Sequence, residues 1–201
     1  MTRLALILAS SSSSRRTMLA AAGVEFMVIA PEVDEDDVRA KLPPAAAAKG
    51  GTVAECLAGC KALAVSARHP GALVLGCDQV LVCGGKLFSK AMDETEAAAT
   101  LRALRGRTHE LISAAVIAKD NELAWRCTDV ARLEMRAFSD SFLEQYVQAE
   151  LPDILGSVGC YRIEGRGAQL FTRVDGDQFT IRGLPLIPLL AALRAHGALP
   201  S

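Results

Sequence analysis

A short apolar run that breaks into five serines and two arginines constrains this chain more than any other stretch. Leu4 to Ala9 is apolar, Ser10-Ser11-Ser12-Ser13-Ser14-Arg15-Arg16 follows, and Met18-Leu19-Ala20-Ala21-Ala22-Gly23 continues in a helical pattern. The order reads as a buried strand, a hydroxyl-crowded turn and the start of a helix. Unpaired N–H groups at a helix N-terminus carry partial positive charge and attract anions. Serine hydroxyls, those of Ser10 and Ser12 among them, add donors, and arginine adds a bidentate fork suited to phosphate oxygens. An N-cap would account for one serine. Five serines followed by two arginines point to an anion.

The 201 residues suit one domain with a real core, and 51% apolar against 22% charged residues describes a folded chain. Lys and Arg number 22 against 23 Asp and Glu, so no general basic field announces nucleic acid. Any basic function is local. Cysteines 56, 60, 77, 83, 127 and 160 form no CxxC pair, and Cys56-x-x-x-Cys60 has no second pair or nearby His at zinc spacing. A reducing, cytoplasmic compartment is the expectation. No stretch approaches the ~20 apolar residues of a membrane span, and Leu4–Ala9 is too short for a signal-peptide core.

Further along, Val24–Ala30 reads as a second strand ended by Pro31, with an acidic turn at Glu32–Asp37. Ala40–Thr52, containing Pro43-Pro44 and Gly50-Gly51, reads as a loop or broken helix. Val53–Arg68 is an amphipathic helix carrying Lys61. Leu73–Val82 is a continuous buried strand that contains Asp78, and a helix spans Asp93–Leu104. Two more strands, Thr108–Ala118 and Glu122–Arg136, pair through Lys119-Asp120-Asn121. Ser139 caps a helix to about Ala149, a glycine-punctuated, strand-rich region ends at Asp175-Gly176-Asp177, and a helix from Leu186 closes the chain. No repeat or linker divides residues 1–201, so the expectation is one α/β domain.

Asp78 is the first chemical candidate, because a carboxylate inside an apolar strand is costly to desolvate unless it meets a cation or metal. A structural aspartate that caps a turn or pairs with a core arginine is the alternative. Glu35 sits in an acidic cluster that could equally be a solvated loop. Lys61 and Lys90 read as surface residues until something ties them to a site. Together these residues form a consistent set: an anion cradle, carboxylates to hold a divalent cation, and lysines to clamp phosphate. That set is what hydrolysis of a phosphoanhydride requires.

In order along the chain, Leu6–Ser10 through Arg15-Arg16, Val33-Asp34-Glu35, Lys61-Ala62, Gly76-Cys77-Asp78-Gln79, Ser89-Lys90, Gly106–Glu110, Tyr161–Gly165 and Gly183–Leu186 resemble the motifs of the Maf family of nucleoside triphosphate pyrophosphatases. The resemblance implies an α/β fold with a mixed, elongated, twisted sheet flanked by helices, and two lobes with a central cleft. It implies cleavage of a nucleoside triphosphate to monophosphate and pyrophosphate with Mg²⁺ or Mn²⁺, as house-cleaning of unusual nucleotides. Asp78 matches the family's proton acceptor, Glu35 with Asp78 the metal position, and Ser10, Arg15, Lys61 and Lys90 the phosphate-facing positions. Since some members arrest septum formation, a nucleotide-binding regulator of cell division is the competing expectation. The nucleotide is the expected ligand; nucleic acid and membranes are not expected partners, and a second copy of the chain is the one protein partner allowed for. A family lysine has no counterpart at Gly156-Ser157, so that phosphate-facing cation is either missing or supplied by Arg162 or Arg166.

Three positions bear on the base. Gln79 and Glu164 stand where dTTP- and UTP-hydrolysing members carry Thr and Gln, and they agree with the branch resembling 7-methyl-GTP pyrophosphatase. Ser14 departs from that branch, which has an aromatic there that could stack on a cationic purine. The expectation is a guanine-type or modified purine, with Glu164 accepting from guanine N–H groups.

Overall fold

β1 (Leu6–Ala9) is apolar at every position because both its edges are paired and both its faces are covered. The computed structural model describes residues 5–200, so Leu4, where the sequence begins this strand, lies outside them. β2 (Met27–Val28) and β3 (Leu73–Cys83) flank β1 in parallel. β4 (Lys86–Phe88) folds back on β3, and β5 (Thr108–Lys119) pairs antiparallel with β3's other edge. β6 (Glu122–Met135) returns along β5, and β7 (Phe171–Asp175) pairs with β6. Asp120 and Asn121 take positive φ in the β5–β6 turn, as a tight hairpin demands. The sheet is mixed and ordered β2-β1-β3-β5-β6-β7, with β4 on β3.

Strand alternation sorts the side chains onto two covered faces. Leu75 and Cys77 of β3, with Ala115 and Ile117 of β5, pack on α1 (Ser13–Ala21) and α8 (Leu186–Ala195). Val74 and Val80, with Ala114 and Val116, pack on α4 (Gly50–Ser66). α5 (Glu94–Leu104) and α6 (Asp140–Glu150) enclose a third cluster at the far ends of β3, β5 and β6. This is the flanked mixed sheet that the sequence leads one to expect.

Several stretches differ from that expectation. Of Val24–Ala30 only Met27 and Val28 pair, because the run lies at the sheet edge, where both are exposed. The acidic turn is a helix, α2 (Glu35–Ala40): Asp34 Oδ1 accepts from the N–H groups of Asp36 and Asp37, and Glu35, Asp36 and Asp37 occupy its first turn, where negative charge is favoured. Ala40–Thr52 contains α3 (Pro44–Ala47), and α4 begins at Gly50. The glycine-rich region holds one strand, β7; its other ordered pieces are 3₁₀ turns at Asp153–Gly156 and Arg166–Leu170. α7 (Gln178–Ile181) follows β7, capped by Asp177. Among the described residues no helix is long and apolar enough to cross a membrane.

Candidate active site

β1 stops at Ala9, opposite Gly76, while β3 continues to Cys83. Between Gly76 and Leu81, where β4 takes up that edge, β3 has no neighbour on one side, and Ser10 and Asp78 open into this gap. The gap is part of a cleft of about 1140 Å³. Ser10, Ser12, Ser14, Arg15, Glu35, Lys61, Asp78, Gln79, Lys90 and Glu164 all line it.

Close packing of α4 on β3 delivers the lysine. A Cβ on Gly76 would stand 2.1 Å from the Ala58 carbonyl oxygen and 2.7 Å from the Ala62 nitrogen, so glycine lets the helix approach. Lys61, next to Ala62 and about one turn on from Ala58, then reaches Asp78. Its Nζ lies 2.6 Å from Asp78 Oδ1 and 2.6 Å from Glu35 Oε1, one cation bridging two carboxylates. Asp78 Oδ2 is buried and has no hydrogen-bond partner. Burial pushes the Asp78 carboxyl above its ordinary value, although Lys61 and Arg15 pull the other way. Burial would also raise half-exposed Glu35, but there Lys61, Arg39 and Lys90 outweigh it and hold the carboxyl below its ordinary value. Lys90 sits within the field of Arg15, Glu35, Lys61 and Asp78; desolvation and then the nearby cations lower its affinity for a proton.

The serine turn works as a cap and a brace. Ser12 Oγ accepts from the Arg15 N–H at 3.4 Å, capping α1, and Ser10 Oγ accepts from the Ser12 N–H and from Arg15 Nη1. Arg15 Nε donates to the Gly183 carbonyl at 2.8 Å, which aims the guanidinium along the cleft. Gly183 holds a φ of 95°, a conformation that favours glycine. Arg16 is exposed and does not line the cleft, so one arginine of the pair serves the site.

Gln79 leaves β3 on the opposite face from Asp78. Its Nε2 lies 3.0 Å from Ser113 Oγ, the Thr180 carbonyl and the Ile181 carbonyl, and Ser113 Oγ donates to the same Thr180 carbonyl. Thr180 Oγ1 donates to Asp129 Oδ2 at 2.6 Å. The amide therefore ties the 180–183 turn to the sheet. Ser14 Oγ donates to the Arg182 carbonyl, and the Arg182 guanidinium pairs with Glu164.

The Maf-like protein model matches residues 5–196. This chain belongs to the Maf-like family. A nucleoside triphosphate pyrophosphatase of Granulibacter bethesdensis is 47% identical over 194 residues, 96% of this chain and 98% of the relative. A 7-methyl-GTP pyrophosphatase of Brucella abortus is 44% identical over 189 residues, 94% of each chain. The crystal structure of a nucleoside-triphosphatase (dITP/XTP pyrophosphatase) from Mycobacterium abscessus spans 98% of both chains at 14% identity and a TM-score of 0.39, too loose a likeness to carry any conclusion.

In this Maf-like chain the donor set suits a small hard cation. Asp78 Oδ2 is an unpartnered carboxylate oxygen and Glu35 is half open to the cleft, while no group of three ligating Asp, Glu, His or Cys side chains gathers among the described residues. Mg²⁺ is commonly held in that way, by one or two carboxylates with water and phosphate completing its shell. Of the two arginines considered for the absent family lysine, Arg162 lines the cleft and Arg166 does not. Arg162 is itself anchored, 2.8 Å from Asp153 and 3.6 Å from buried Glu150. Arg182, Ser113 and Asp129 carried no sequence signal. Ser113 is the cross-strand partner of Gln79, which only the strand register reveals.

Proposed function

We propose that this Maf-like protein hydrolyses nucleoside triphosphates, with a guanine-type base, to a monophosphate and pyrophosphate. One observation carries the reading: a buried carboxylate oxygen, Asp78 Oδ2, lies without a partner in a cleft walled by Arg15, Lys61 and Lys90. The names of its relatives support the same chemistry. Asp78 takes a proton from water while the water oxygen attacks the α-phosphorus. The bond from that phosphorus to the α–β bridging oxygen breaks, and pyrophosphate leaves. Arg15 and Lys90 offset the charge growing on the leaving oxygens, and Lys61 keeps Asp78 and Glu35 in place. Mg²⁺ or Mn²⁺, held by Glu35 and Asp78, would add charge neutralisation at the phosphates. A reducing compartment such as the cytoplasm suits the chain, whose six cysteines are free thiols.

The test is pyrophosphate release from a nucleotide panel, with and without Mg²⁺. Release of pyrophosphate and monophosphate in equal amounts, dependent on the metal, is the expected result. Silence across a panel that includes methylated and deaminated bases would leave the nucleotide-binding regulator of cell division in its place.

A further inference from the structure

Arg182 has no task in the hydrolysis. It lines the cleft with Ser14, Gln79 and Glu164, its side chain is only 21% exposed, and its Nε is buried without a hydrogen-bond partner. Glu164 Oε1 stands 3.6 Å from that Nε, near enough to pair charges and too far for a hydrogen bond. The backbone around it is held firmly. Ser14 Oγ donates to its own carbonyl, Gln79 donates to the two carbonyls before it, and Arg15 donates to the one after. A guanidinium held on a fixed stem in the cleft wall, its Nε buried and unpartnered and its charge met only by a half-exposed carboxylate, has its outer N–H groups to offer a ligand with an acceptor next to a donor.

We propose that Arg182 and Glu164 read the base together, and that the pair selects a guanine whose N7 carries no methyl group. The proposal rests on the pyrophosphatase reading and names its substrate. Guanine presents O6 and N7 side by side as acceptors, which an arginine fork matches, and N1–H and N2–H₂ as donors, which a carboxylate accepts. Thymine and uracil lack the O6/N7 pair, and adenine replaces O6 with a donor. Methylation at N7 removes one acceptor and places positive charge on the ring, against a guanidinium. Ser14 offers no aromatic face to compensate for it. Arg182 thus acts as a repulsive element against the methylated base as well as an attractive one for guanine.

The experiment measures kcat/KM for GTP, 7-methyl-GTP, dTTP and UTP in the unmutated protein and in Arg182→Leu. The unmutated protein should favour GTP over 7-methyl-GTP by about tenfold or more, the scale of one unpaired base contact. Arg182→Leu should lose about tenfold on GTP, chiefly through KM, with 7-methyl-GTP unchanged or improved. A preference for 7-methyl-GTP in the unmutated protein, or an equal loss on both nucleotides in the variant, overturns the proposal. Should Arg182→Leu not fold, the unmutated ratio decides alone, together with calorimetric binding of non-hydrolysable GTP against its N7-methylated counterpart. If dTTP or UTP is the best substrate, the pyrophosphatase reading stands and the base assignment falls. If no nucleotide yields pyrophosphate, the pyrophosphatase reading falls, and the binding ratio still judges Arg182.

Discussion

Asp78 and Gln79 are neighbours in sequence and face opposite sides of one sheet. Asp78 turns toward α4 and meets buried Lys61, whose Nζ lies 2.6 Å from Asp78 and 2.6 Å from a second carboxylate, Glu35. Gln79 turns toward α7 and spends its amide on backbone carbonyls of the 180–183 turn. The Asp78–Lys61 pair of the first cluster is built on a strand interior and the middle of a 17-residue helix, so core packing sets its geometry, while Glu35 joins it from the short helix α2. The second is built on a four-residue helix, a turn and the loop that carries Glu164, and hydrogen bonds hold it. The Asp78–Lys61 pair sits in the packed core, and base choice sits where changing a loop leaves that core undisturbed.

The sharpest way to break this contrast is Asp78→Asn. If the α4 face does the chemistry, the variant binds nucleotide but loses turnover by about 10³-fold, within the range for a removed general base. Steady-state pyrophosphate release together with calorimetric nucleotide binding checks both halves; turnover near that of the unmutated protein would remove Asp78 from the mechanism.

Gly76→Ala asks whether helix packing sets the Lys61 contact. Its Cβ would meet a backbone carbonyl at 2.1 Å, so α4 must move. A loss of about 3 kcal/mol in denaturant stability, with activity falling further than the folded fraction explains, is expected. An active variant of unchanged stability would show that the close approach is dispensable.

On the other side, the segment carrying Glu164 is anchored by Tyr161, whose hydroxyl lies 2.7 Å from Nε2 of buried His109. Burial pushes the His109 imidazole down to about 4 from its ordinary 6.5. Between those values the unfolded chain takes up a proton that the folded chain refuses. Stability is therefore full above pH 6.5 and falls as the pH drops toward 4, by about 3 kcal/mol in all. Urea midpoints from pH 7 to pH 4.5 should show a steeper acid loss in the unmutated protein than in His109→Gln. Parallel curves would mean that His109 does not drive the loss.

The smallest effect is expected from Ser14→Trp. An indole there would supply a platform for a cationic ring, worth about 1 kcal/mol, so the 7-methyl-GTP to GTP ratio of kcat/KM should rise about fivefold. A ratio that falls or stays fixed would place the base away from residue 14.

Long periodic segments were readable because local pattern decides them: Leu73–Val82 is apolar enough to be nothing but a buried strand, and β5 and β6 are joined by the turn expected at Asp120-Asn121. The short elements were not. α2 carries a readable start signal, Asp34 followed by three acids, yet its six residues bury no side chain and give no periodicity. Residues 156–170 hold glycines that fit strands, turns or 3₁₀ pieces equally well.

For the site, sequence determined which residue types were at hand: a serine–arginine turn after one strand, a carboxylate within another, and lysines positioned by motif. It also determined, through Gly76, Ala58 and Ala62, that helix and strand could lie close. Which carboxylate oxygen Lys61 takes, that Arg15 and not Arg16 enters the cleft, and that Arg182 stands beside Glu164 were decided only by the tertiary structure. The reason is physical. Local pattern follows from neighbours within a few residues, whereas Arg182 reaches Glu164, Ser14 and the Gln79 network only after the chain has closed across 168 positions from α1 to the 180–183 turn.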